Sequence, residues 1–241
     1  YTGYTGRTGF TGYSGYTGYT GYTGYTGALA VVGVNNSDYL FWNSTSLAWE
    51  VESGDKVHIG SNAGFNNQGQ YSVAVGKDSG SDSQGNSAIS IGYASGQYNQ
   101  GAESVSLGAL SGNVNQGVQS IAIGSNAGQN YQNNTSISIG YASGQNSQGL
   151  GSISLGNLSG QNNQGDNSIS IGNSASTDNQ GVNSISIGFE SGKNYQGSNC
   201  ISIGNQSGKY SQGSRSIAIG LQAGNFEMGT ESIAIGNYAG Q

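Results

Sequence analysis

Along residues 57–241 the apolar residues come in pairs split by one small residue, as in Ile137-Ser138-Ile139 and Ile121-Ala122-Ile123. Alternation of this kind marks a strand, because successive side chains leave opposite faces of an extended backbone. A glycine closes each pair, and these glycines recur every sixteen residues from Gly60 through Gly76 and Gly92 to Gly236. A period without insertion or deletion predicts stacked coils of equal size. The block is legible at 136–149: Ser136-Ile137-Ser138-Ile139-Gly140, two variable residues, Ser143-Gly144, three variable residues, Gln148-Gly149. Gly, Asn, Ser and Gln cluster between the apolar pairs and predict two corners per coil.

Stacking such coils places Ile137 between Ile121 and Ile153, and Ile139 between Ile123 and Leu155. Residues two apart share a face, so both columns belong together. The expectation is that they point into the coil. The small column between them, His58, Ala74, Ser90, Ser106, Ala122 and onward to Ala234, then points out. Its restriction to Ala and Ser after His58 predicts another surface lying against it. Two aliphatic residues per coil make a thin core, which predicts several chains side by side. A single-chain solenoid with a solvated flat face is the alternative.

Residues 1–27 change the picture, because glycine occupies every third position from Gly3 to Gly27. That period is the collagen signature, since only hydrogen fits at the axis of three polyproline II chains. A collagen-like stalk makes the molecule a homotrimer; a disordered low-complexity linker is the alternative. The chain contains no proline, so some other feature must order the triplets. Thr5, Thr17, Thr20 and Thr23 are candidate glycosylation sites whose sugars would shield the backbone.

Between stalk and coils, Ala28 to Lys56 reads as a strand followed by a hairpin. Tyr39–Trp42 and Leu47–Val51 flank the polar Asn43-Ser44-Thr45-Ser46, a four-residue loop. Both tryptophans, Trp42 and Trp49, fall here. A first coil otherwise exposes an unpaired edge, so an aromatic neck and cap is expected. A sugar-binding aromatic platform is the competing reading.

Composition and candidate chemistry narrow the function classes. Only 7% of residues are charged, 45 are glycine, and the formal net charge is −6. So few basic residues offer no grip on phosphates, and no nucleic-acid partner is expected. The longest apolar run, Ala28 to Val32, is too short to span a bilayer. The chain starts within the triplets and stops within a block, so the natural polypeptide is expected to extend both ways. One histidine, His58, and one cysteine, Cys200, supply no catalytic constellation, no disulfide within the chain and no zinc spacing; three copies of Cys200 near a trimer axis are conceivable but not required. Asp occurs too sporadically, as at Asp166 and Asp178, for a calcium-binding solenoid. No enzyme, metal or cofactor is expected.

Gln68, Gln84, Gln100 and their successors to Gln212 form another column, interrupted by Met228. Stacked at strand spacing, their amides are expected to bond to one another along the axis. Tyr93, Tyr98, Tyr131, Tyr141, Phe189, Tyr195, Tyr210 and Phe226 are expected on exposed corners. Sequons begin at Asn35, Asn43, Asn133, Asn134, Asn157 and Asn205, and Asn43 is the foremost N-glycosylation candidate.

The TGYTGYTG array followed by YLFWN and then SIAIGSNAGQNYQ-like blocks resembles the collagen-repeat fibre proteins of giant DNA viruses. The SIAIG element with its Ala-Gly corner is similar to the head repeats of YadA-like trimeric autotransporter adhesins, a likeness that implies a trimer of β-rolls. The adhesin repeat is usually shorter than sixteen residues.

Together these readings predict an all-β fold with a collagen-like triple helix: a stalk at 1–27, a hairpin neck at 28–56 and a trimeric β-solenoid of twelve 16-residue repeats at 57–241. Twelve layers at ~4.8 Å make a shaft of roughly 55 Å, and the triplets add about 80 Å. The expected function is a structural fibre on a virion or cell surface, a rigid shaft whose trimers can join end to end. The alternatives are an adhesin binding host glycans and an ice-binding solenoid on the flat Ser/Ala ladder.

Overall fold

The computed structural model describes residues 32–52 and 54–241. The triplets at 1–27, with Thr5, Thr17, Thr20 and Thr23, lie outside the described residues, as does most of the apolar run from Ala28. Strands β1 (Tyr39–Asn43) and β2 (Ala48–Glu52) pair antiparallel, with Trp42 opposite Trp49 and Leu40 opposite Val51. The hairpin its aromatic segments predict is present, but its four-residue loop is 44–47 and not 43–46, so that Asn43 belongs to β1 and Leu47 to the loop, and no strand precedes it among the described residues from 32.

From β3 (Val57–Ile59) onward the chain is a parallel β-solenoid. Each coil adds one three-residue strand to a 12-stranded parallel sheet, which runs from β3 to Ile233–Ile235. A second, 9-stranded parallel sheet runs from Asp82–Gln84 to Tyr210–Gln212. The register is the sixteen-residue repeat itself: Ile121 pairs with Ile137, Ala122 with Ser138 and Ile123 with Ile139.

Glycine at the end of each first strand has two physical reasons. Gly156 has φ +134°, and a Cβ there would come within 2.6 Å of the Gly172 carbonyl oxygen in the next coil. The corner glycines, such as Gly160 at φ +52°, sit in the left-handed region, where a side chain is strained.

The two sides of the first sheet are reversed from expectation. Ala74, Ser90, Ser106, Ala122, Ser138 and the rest of the small column are buried inside the coil. The Val/Ile/Leu columns on either side point outward, and none of their members is fully buried. The reason is the size of the coil: two three-residue strands joined by tight corners enclose a lumen too narrow for isoleucine. What fills it is serine, alanine and glutamine.

That lumen is held by hydrogen bonds. Ser138 Oγ donates to Gln148 Oε1 (2.5 Å), and Gln148 Nε2 donates to the Ile137 carbonyl (2.8 Å). Ser143 Oγ donates to the Ser154 carbonyl one coil on (2.8 Å), and Ser152 Oγ donates to Gly149 (2.8 Å). Nearly every buried polar side chain therefore has a partner, as burial requires; the exceptions among the described residues are Gln84 Oε1, Ser176 Oγ and Asn225 Oδ1. The Gln column is thus mainly a strut across the coil. Amide contacts along the axis occur only at Gln116–Gln132, Gln180–Gln196 and Gln196–Gln212 among the described residues. Continuous amide ladders run instead on the outside, from Asn130 through Asn146 and Asn162 to Asp178.

The same logic explains the break at Met228. Where a serine of the small column is replaced by Ala218, the residue ten further on is Met228 instead of Gln, and the two pack with Ala223 and Ala234. Losing the donor and the acceptor together leaves nothing unsatisfied. At Ala74 only the donor is lost, and Gln84 Oε1 is buried without a partner. Ser176 occupies a corner where glycine is the rule, at φ +43°, with its own hydroxyl unsatisfied. Ala74→Ser and Ser176→Gly are each expected to stabilise the chain by about 1 kcal/mol, the first through a made hydrogen bond and the second through relieved strain. Thermal unfolding followed by circular dichroism should show a rise of about 2–4 °C for each; an unchanged or lower midpoint contradicts this account of the lumen.

Candidate interaction face

The outward columns run the length of the first sheet, Val57 to Ile233 on one side and Ile59 to Ile235 on the other. Leu107 is 42% exposed, Leu155 41% and Ile203 37%. Summed over the coils, the two rails present on the order of 1,000 Å² of apolar surface, whereas the largest patch on a typical monomer is about 300–600 Å². Ser/Ala rails on the outside, the surface expected to meet a neighbour, do not exist.

Elsewhere the surface mixes amide ladders with scattered apolar side chains such as Phe65, Val118, Leu150 and Leu221. Besides the asparagine ladder, Gln161 donates to Gln145 (2.9 Å) and Gln145 to Gln129 (2.8 Å). The aromatics expected on corners, from Tyr93 to Phe226, are all exposed, but Tyr98, Tyr131, Tyr195 and Tyr210 lie on strands of the second sheet and not on corners. Glu190 gathers Lys193 (2.6 Å), Lys209 (2.8 Å) and Gln206 (2.9 Å). The Lys193 contact first, then that with Lys209, pulls its carboxyl down to about 2. A lowered carboxyl contributes stability above its ordinary range and loses it as pH falls through about 2. Each carboxylate oxygen is already engaged, so the cluster links coils and leaves no free base.

At the N-terminal end the hairpin lies against β3. His58 belongs to the inward column, and Phe41 meets its ring edge-on at 4.6 Å, with Tyr39 at 5.9 Å. The His58 N–H donates to the Tyr39 hydroxyl (2.7 Å), which donates in turn to the His58 carbonyl (3.3 Å). One hydroxyl thus satisfies both backbone groups that β3 turns away from its neighbour. The opposite side of the hairpin carries Leu40, Trp42, Trp49 and Val51, with both tryptophans about half exposed, at 51% and 52%. A groove of about 600 Å³ between hairpin and first coil is lined by Phe41, Trp42, Ile59 and Phe65 among others.

Other candidates are placed as follows. Cys200 is buried within its own coil, its thiol donating to the Gly213 carbonyl (3.0 Å), so it does not face another chain. Asn43 stabilises the hairpin loop: its Oδ1 accepts from Thr45 N–H (2.9 Å) and its Nδ2 donates to Glu50 (2.9 Å). Asn157 and Asn205 are exposed, while their sequon hydroxyls, Ser159 and Ser207, are buried in the lumen. Among the described residues no group of three or more His, Cys, Asp and Glu could hold a metal ion, and no helix is long and apolar enough to cross a membrane.

Fold and surface define a parallel β-solenoid with a polar lumen and an apolar face along its first sheet. Compared with known protein families, curated proteins and solved structures, the chain finds no match in any of the three.

Proposed function

We propose that this chain is the shaft of a homotrimeric fibre on a virion or cell surface, with the Val/Ile/Leu rails as the faces through which three copies associate. The observation that carries the reading is the uninterrupted apolar face. Its area, on the order of 1,000 Å², is comparable with the ~800 Å² that each partner contributes to a standard specific interface. The copy number comes from the glycine triplets at 1–27, whose period suits three chains. Axial backbone ladders then run along the fibre, while the polar amide columns and exposed aromatics face water.

Sugars on Thr5, Thr17, Thr20, Thr23 or Asn43, end-to-end joining and an extracellular place belong to the same proposal. The adhesin reading is favoured by one observation, the exposed rings on the second sheet such as Tyr131 and Tyr195, which are 61% and 64% exposed. The ice-binding reading has lost its surface, because the Ser/Ala ladder is interior.

Multi-angle light scattering on the intact chain is the direct test. Three times the 24.4 kDa monomer mass is expected; a monomer at micromolar concentration would refute lateral association.

A further inference from the structure

The repetition of the shaft leaves one question that repetition cannot answer. Every rail position from Val57 to Ile235 is Val, Ile or Leu, and each coil adds one equivalent rung. Sliding one chain past another by a coil exchanges each apolar contact for a similar one and forfeits one rung of twelve. Registers separated by so small a difference are weakly specified. The glycine triplets at 1–27 repeat every three residues and permit sliding in the same way. An aperiodic element has to choose.

The hairpin is that element. Its Tyr39/Phe41 side is occupied by His58, while Leu40, Trp42, Trp49 and Val51 form the other side. The two indoles meet edge to face at 5.7 Å. Roughly 300 Å² of apolar surface is exposed there, given the size of aromatic side chains, on a two-stranded sheet of a kind that is marginal alone in water. Through Trp42 and Ile59, both lining the groove, this patch is continuous with the first rung of the rails.

A carbohydrate would need polar groups converging on the rings. Of the polar groups that line the groove with Trp42, Asn43 is bonded to Glu50 and to the Thr45 N–H, and Asn62 to Asp78. The geometry points to a second copy of the same hairpin as the occupant: we propose that the Leu40/Trp42/Trp49/Val51 face makes the homotypic contact that fixes the register of the associated shafts. This rests on lateral association through the rails and adds to it the choice of one alignment.

The chain has two tryptophans, both in this face, so its indole fluorescence reports on the hairpin alone. In the assembled full-length chain, emission should shift to the blue and acrylamide quenching should fall several-fold relative to free indole. Trp42→Ser/Trp49→Ser should still associate, but as a broad distribution in sedimentation velocity, because staggered rails leave uncovered rungs that recruit more chains. Trp42→Phe/Trp49→Phe should restore a single species, which separates loss of the contact from loss of the fold. Assembled wild-type chains with fully quenchable tryptophans would overturn the inference, as would a serine variant that sediments as the same single species. A wild-type monomer would instead refute the rail reading beneath it.

Discussion

Ser138→Ile is expected to unfold the coils around it, whereas Ile139→Ser, one residue away, should leave the solenoid folded. Ser138 is fully enclosed, so isoleucine there overpacks the lumen and leaves Gln148 Oε1 without its donor. Overpacking costs about 1–3 kcal/mol, and an orphaned buried acceptor adds about 1–3 kcal/mol. Because coils are stabilised by their neighbours, a failure in the middle separates two shorter stacks. Ile139 points out, and its replacement should cost the isolated coil under about 1 kcal/mol of strand propensity. Urea unfolding of the two variants measures both quantities. Equal destabilisation, or the reverse order, would show that the isoleucines and not the serines fill the interior.

The second large effect concerns the outside. Replacing Leu155, Ile187 and Ile203 by lysine should reduce the scattering mass from three chains to one while circular dichroism remains that of the folded solenoid. These side chains stand 37–41% exposed, so the long lysine stems can lie over the sheet with their ammonium groups in water. In an assembly the same groups would be buried, unpaired and close to their symmetry mates, which is strongly unfavourable. A triple variant that keeps its trimeric mass would mean that the rails are not the contact.

The contrast between these variants also shows how far the chain could be read in advance. The sixteen-residue register, the strand at Ile137–Ile139, the glycine corners and the Trp42–Trp49 hairpin follow directly from periodicity. Which side of the strand faces inward does not. Alternation says that Ser138 and Ile139 lie on opposite faces, and the habit of placing isoleucine inside chose wrongly. The missing constraint was volume: with two three-residue strands per coil, the lumen has no room for a β-branched chain from each rung. A signal was present in the linked change from Ser and Gln to Ala218 and Met228, which pairs the small column with the Gln column and so places both inside. The groove beside Phe65 and the Tyr39–His58 contact depend on how the hairpin folds back, and nothing in the repeat encodes that.

The hydroxyl- and amide-lined lumen bears on how stability varies with temperature. Exposing apolar groups to water raises heat capacity and exposing polar groups lowers it. A lone chain whose enclosed side chains are mainly Ser, Gln and Ala thus has a flat stability curve, with little weakening in the cold. Under the proposed association, most of the curvature, and with it most of the temperature sensitivity, belongs to the step in which isoleucine surfaces leave water.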